Sequence, residues 1–148
     1  MKRVIVVSAS VLALLAGPSV AAQAAQPSTK SASDTATVCD VSGATVVKGL
    51  TDFMKELDKA GAAATSGDIS TSQASVKQSG TMLIDLAGKL RKDVETAQST
   101  ELKKAVEDVA KEMEIQGGNL SGDLASVQNF NSKRIEDLSE KVNEICTR

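Results

Sequence analysis

Catalysis by proton transfer or nucleophilic attack needs residues whose pKa or nucleophilicity suits the task, and this chain offers few of them. Its 148 residues include no His, which removes the usual general base and the commonest nitrogen ligand for a metal. The only thiols are Cys39 and Cys146. Their wide spacing and the lack of His partners do not fit a metal or redox pair, whose members sit close in sequence. No Ser lies three residues before a Lys, the arrangement some exported hydrolases use. There is no Gly-rich phosphate loop and no calcium-loop pattern. Acidic side chains are plentiful, but Asp and Glu (19) are interleaved with Lys and Arg (17). Glu112 and Glu114 are two apart and point in different directions on a helix. A carboxylate pair would have to be assembled from separate helices. The expectation is no catalytic residue, no metal ligand and no cofactor.

Binding chemistry is narrowed in the same way. There is no Trp or Tyr, and Phe53 and Phe130 are the only aromatic residues. Sugar sites and single-stranded nucleic-acid sites depend on aromatic platforms, and a haem carrier would lack its His or Tyr ligand. The net charge is −2 with no basic cluster, so nucleic acid is not an expected partner. Met54, Met82 and Met113 remain as candidates for an adaptable pocket that holds a small apolar ligand. The plainer reading of all three is hydrophobic core.

The N-terminus explains the cysteines. Met1-Lys2-Arg3 is a positive start, Val4 to Ala16 is uncharged and largely apolar, Gly17-Pro18 breaks a helix, and Ala22-Gln23-Ala24 supplies the small residues of a cleavage site. This is the pattern of a secretory signal peptide over residues 1–24. Its apolar run of about 13 residues is short of the roughly 20 that span a bilayer. Export implies an oxidising compartment, and two cysteines there imply a disulfide between Cys39 and Cys146. That bridge closes a loop of roughly 100 residues, which in the chain-entropy account removes on the order of 4–5 kcal/mol of unfolded-state freedom.

The elements that carry these residues read as helices. Residues 25–38 are small and polar without periodicity, and are expected to form a flexible tail. Val46, Val47, Leu50, Phe53, Met54 and Leu57 recur at helical spacing, predicting a helix from about Ala44 to Ala60, capped by Asp40 or Ser42. Val76, Leu83, Leu86, Leu90 and Val94 stripe a second helix, Thr71 to Gln98. Gly80 and Gly88 lie inside it, serving either a close helix approach or a kink. A third helix starts at Ser99 or Thr100, shows Leu102, Val106, Val109 and Met113, and stops at Gly117-Gly118. The fourth runs from about Leu120 to Ile145, with Leu124, Val127, Ile135, Leu138 and Val142 in step. Asn131 occupies an apolar step in that helix, turned outward beside Phe130 or buried to fix register. Glu107 with Lys111, and Asp137 with Lys141, are spaced for weak surface pairs.

Short connections favour antiparallel neighbours, giving an all-α, up-down-up-down four-helix bundle over residues 39–148. In that topology Cys39, before the first helix, and Cys146, ending the fourth, lie at the same end. The helical pattern and the export signal thus lead independently to one pairing.

The Ala-rich signal from Leu12 to Ala25, the Ser/Thr/Ala spacer, the stretch Thr100-Glu101-Leu102-Lys103-Lys104-Ala105-Val106 and the late Cys146 resemble small exported helical proteins of high-GC Gram-positive bacteria. The resemblance implies an extracellular, non-catalytic protein and brings no site residues with it. The expected function is a secreted or cell-surface interaction module that binds a protein partner or a second copy of itself. The alternative is a carrier or sensor of a small apolar ligand held in the bundle core.

Overall fold

The computed structural model describes residues 29–148, with side chains from Thr35 onward. The expected signal segment, and residues 25–28 of the expected tail, lie outside the described residues. Among the described residues there are five helices and no strand: α1 Thr29–Thr65, α2 Ile69–Asp93, α3 Thr100–Asn119, α4 Leu124–Gln128 and α5 Ser132–Cys146. Four of these are substantial and pack together; α4 is a single short turn.

Helices α2 to α5 each begin where a short polar side chain accepts an otherwise unpaired backbone N–H. Asp68 accepts from Thr71, Ser99 from Leu102, Asp123 from Ser126 and Asn131 from Arg134. The α1–α2 connection is tight because Gly67 takes a left-handed φ of 82°, open to glycine at no steric cost. Thr71 holds the Asp68 carboxyl below the usual carboxylate range through its backbone N–H.

Four expectations about element boundaries need correction. First, α1 begins at Thr29 rather than Ala44, so residues 29–38 of the expected tail are helical and Cys39 lies inside the helix. Residues 29–42 hold no Gly or Pro, and Val38, Ser42 and Val46 keep the helical step. Ser42 and Asp40 are therefore interior positions and not caps. Buried Ser42 donates its hydroxyl to the Val38 carbonyl at 2.8 Å. Second, α2 ends at Asp93; Val94 and Ala97 stay buried in the turns that follow. Third, α3 passes through Gly117-Gly118 to Asn119. Fourth, the expected last helix is broken into α4 and α5. The break falls where Asn131 caps α5, so Asn131 is exposed, while Phe130 turns inward.

Packing follows chain order: α1 lies on α2, α2 on α3, and α3 on α5, whereas α1 and α5 meet only slightly. Contacts fix the relative directions. Thr45 donates to Asp93 at 2.6 Å, and a Cβ at Gly49 would lie 2.5 Å from a Leu86 methyl, so α1 and α2 are antiparallel. Arg91 meets Glu107 and Gly80 meets Gly117, which makes α2 and α3 antiparallel. Arg134 meets Glu112 and Arg148 meets Glu101, which makes α3 and α5 antiparallel.

Two apolar clusters fill the interior. One joins Leu86, Leu90, Leu102, Val106, Val109, Met113 and Ile135, with Val38 from α1. The other joins Phe53, Ala60, Val76, Leu83 and Leu120. Leu83, Leu90 and Leu102 are buried almost completely, and each contributes about 1.5–3 kcal/mol relative to an exposed position. The choice left open for Gly80 is decided as close approach. A Cβ there would run into the Gly117 carbonyl oxygen, and one at Gly117 would lie 2.6 Å from the Gly80 carbonyl oxygen. Gly88 has nothing within 4 Å of the same construction, so no neighbour requires glycine there.

No described helix is long and apolar enough to cross a membrane. The disulfide Cys39–Cys146 is formed, with the two Cα atoms 5.8 Å apart.

Candidate binding cleft

The weak meeting of α1 and α5 leaves a cleft along their seam. Gly43, Val46 and Val47 form the α1 wall, and Ser139, Val142 and Asn143 the α5 wall. Leu90 of α2 with Val106 and Val109 of α3 make the floor. The cavity measures about 230 Å³.

Its existence follows from what holds the two helices at either end. At one end the disulfide ties Cys39 to Cys146, and both cysteines line the cavity. At the other, Phe53 of α1 rests on Phe130, in the connection just before α5, ring centroids 5.3 Å apart and planes tilted by 41°. Phe53 lies fourteen steps along α1 from Cys39, about 21 Å of helix. Along the cleft itself Ser42, Gly43 and Ser139 are small, and a Cβ on Gly43 would meet nothing within 4 Å. Val46 and Val142 are only partly buried, and Val47 at the rim is 69% exposed.

Two other cavities have mixed polar and apolar linings. One, between α1 and α2, is lined by Thr45, Lys48, Asp52, Met82, Asp85 and Lys89. The other is a shallow opening beside Lys77 and the Gly122 turn. Neither offers the apolar floor of the α1–α5 seam.

The three methionines singled out from the sequence are not gathered. Met54 is 53% exposed on the outer side of α1, and Met113 is wholly buried in the core. Met82 lines the α1–α2 groove, among Lys48, Asp52, Asp85 and Lys89. None lines the α1–α5 cleft.

The acidic pair is likewise divided between two structural networks. Glu112 is the one buried carboxylate among the described residues. It accepts from Gln116 Nε2 at 2.6 Å and from Arg134 Nε at 2.8 Å. Gln116 Oε1 in turn accepts from the backbone N–H of Asn131 at 2.9 Å. This chain of bonds fixes the α4–α5 break onto α3. Glu114 belongs with Glu107 around Arg91, whose Nε lies 2.6 Å from Glu107 Oε2 and whose Nη2 lies 2.9 Å from Glu114 Oε2. Hydrogen bonds from the Arg91 guanidinium hold both carboxyls below the usual glutamate range. The two carboxylates hold Arg91 above its own.

Among the described residues no group of three or more His, Cys, Asp or Glu could hold a metal ion. Of the expected surface pairs, Lys111 lies 3.6 Å from Glu107. Asp137 is taken by Lys133 at 2.9 Å rather than by Lys141.

The cleft-lining residues were visible in the sequence as ordinary apolar steps of helices. The signal that could have marked them is the run of small residues, Ser42, Gly43 and Ser139. It has meaning only once α1 and α5 are known to face each other. Compared with protein-family models, curated proteins and solved structures, the chain matches none.

Proposed function

We propose that this chain is an exported, non-catalytic interaction module, built as an up-down-up-down bundle, whose binding element is the cleft between α1 and α5. Its occupant is one or two apolar side chains of a protein partner at or beyond the cell surface. One observation carries this reading: an apolar cavity of about 230 Å³ opens beside Val47, which is 69% exposed. Pockets that enclose a whole drug-sized ligand measure roughly 300–1,000 Å³. A smaller, open-sided hollow suits the anchor side chains of a protein interface, which sit in desolvated pockets ringed by weaker contacts. Export is supported by the signal pattern of residues 1–24 and by the disulfide.

The smaller reading, a small apolar ligand held in the cleft, draws on the same apolar floor. Native mass spectrometry of the protein recovered from its host tests it, since bound cargo adds mass that leaves on denaturation.

The main reading is tested with a photoreactive side chain placed at Val47, and at Lys77 as a control, on intact host cells. The expected result is one adduct of defined mass from position 47. It is absent from position 77 and lost when Gly43→Leu fills the cleft. Monomer alone from both positions refutes the docking reading.

A further inference from the structure

We infer that the Cys39–Cys146 disulfide is a latch on the docking cleft, released by a dithiol reductant; this rests on the reading of the cleft as the binding element. The bridge is placed for that role. It joins the two walls of the cleft, and both sulfur-bearing residues line it. Both are half-buried rather than sealed in the core.

Each wall also has its own attachment, independent of the bridge. Helix α1 is held on α2 by Phe53 and Thr45–Asp93. Helix α5 is held on α3 by Ile135 and by the Glu112–Arg134 and Gln116–Asn131 contacts. At the far end of the seam Phe53 rests on Phe130, and between the two ends Val46 and Val142 are only partly buried against the shared apolar cluster. Opening the bridge therefore frees one end of the seam and leaves the packing of α1 on α2, α2 on α3 and α3 on α5 in place. The walls then hinge about the phenylalanine pair and uncover Leu90, Val106 and Val109 on the floor.

The chemistry balances. A thiolate of the reductant attacks one cysteine sulfur, the S–S bond breaks, and the other cysteine leaves as a thiolate that takes up a proton. The second thiol of the reductant displaces the first cysteine from the mixed disulfide. Two electrons pass to the protein, which ends with two thiols, and the dithiol ends as a disulfide.

The test is hydrogen–deuterium exchange on the purified exported chain, oxidised and in dithiothreitol, read peptide by peptide. Reduction is expected to speed exchange on the order of tenfold in residues 36–47 and 139–146. Residues 83–90 and 106–113 are expected to keep their protection. Unchanged exchange at the seam overturns the latch. So does loss of protection throughout, which makes the bridge a staple for the whole domain. Photo-crosslinking from Val47 in both redox states separates the two readings. Failure to crosslink in either state removes the docking reading and leaves the exchange pattern to judge the hinge. Crosslinking that is identical in both states overturns control of docking by the bridge.

Discussion

Replacing Gly80 and Gly88 by Ala, one at a time, puts the helix–helix crossing to a direct test. Both glycines lie in α2, eight residues apart, so the substitutions share a chemistry and a helix. In each case the added methyl raises helix propensity and trims unfolded-chain freedom, worth about 0.4–1 kcal/mol. Their surroundings differ. At Gly88 a Cβ meets nothing within 4 Å, so the gain is kept. At Gly80 it collides with the Gly117 carbonyl oxygen and lies 3.2 Å from the Leu120 carbonyl oxygen. Both obstacles are backbone atoms that cannot rotate aside, so α2 and α3 must separate. Overpacking of this kind costs about 1–3 kcal/mol, which exceeds the propensity gain. Gly80→Ala is therefore expected to lose about 1–2 kcal/mol net, and Gly88→Ala to gain about 0.5. For a domain of this size 1 kcal/mol moves the melting temperature by about 3–5 °C. The two variants should then sit on opposite sides of the parent. Urea unfolding of the disulfide-intact protein, followed by far-UV circular dichroism, gives both values in one experiment. A Gly80→Ala protein as stable as the parent, or shifted in the same direction as Gly88→Ala, would show that the backbones do not cross so closely. Gly49→Ala grades the argument. Its obstacles are the Leu86 methyls at 2.5 and 2.7 Å, the far end of a side chain that can turn away, so its loss should be smaller than that of Gly80→Ala.

Two further outcomes follow from the polar groups. The Ser72 hydroxyl is wholly buried and has no hydrogen-bond partner among the described residues, so Ser72→Ala should stabilise the domain by about 0.5–1 kcal/mol; a loss in urea unfolding would mean that this hydroxyl is satisfied. Arg91 holds Glu107 and Glu114 below their ordinary value of 4.5, so the folded state gains from their ionisation above that pH and loses the gain as pH falls through the lowered values. All three side chains are at least a third exposed, which limits the effect to about 1 kcal/mol. Arg91→Met should accordingly be less stable than the parent at pH 7, and the gap should close as the pH drops well below 4.5; a gap that persists at pH 2–3 would locate the contribution of Arg91 in packing rather than charge.

Much of the helical layout can be read from short-range pattern. Apolar steps of three and four residues mark α2, α3 and α5, and Ser99, one of the two candidate caps before that run, caps α3. The cysteine pairing follows from there being only two cysteines, and the missing residue types do not depend on the fold at all. Other features belong to residues far apart in the chain. Gly117-Gly118 reads locally as a stop, yet Gly117 is a helical contact because Gly80 lies across from it. Asn131 sits in phase with a continuous last helix, but its side chain caps Arg134 and its backbone N–H finds Gln116 on α3. That long-range bond helps make the break stable. Residues 25–38 read alone as an aperiodic tail, and Val38 gains its helical role by burying itself against the core cluster. The cleft is the most tertiary feature of all. Val46, Val109 and Val142 look like core positions in any one helix. They line an opening because the disulfide and the phenylalanine pair fix the ends of the seam while Ser42, Gly43 and Ser139 leave room along the cleft. Spacing within one helix sets which face is apolar, whereas how closely two faces meet depends on contacts that no local stretch of sequence contains.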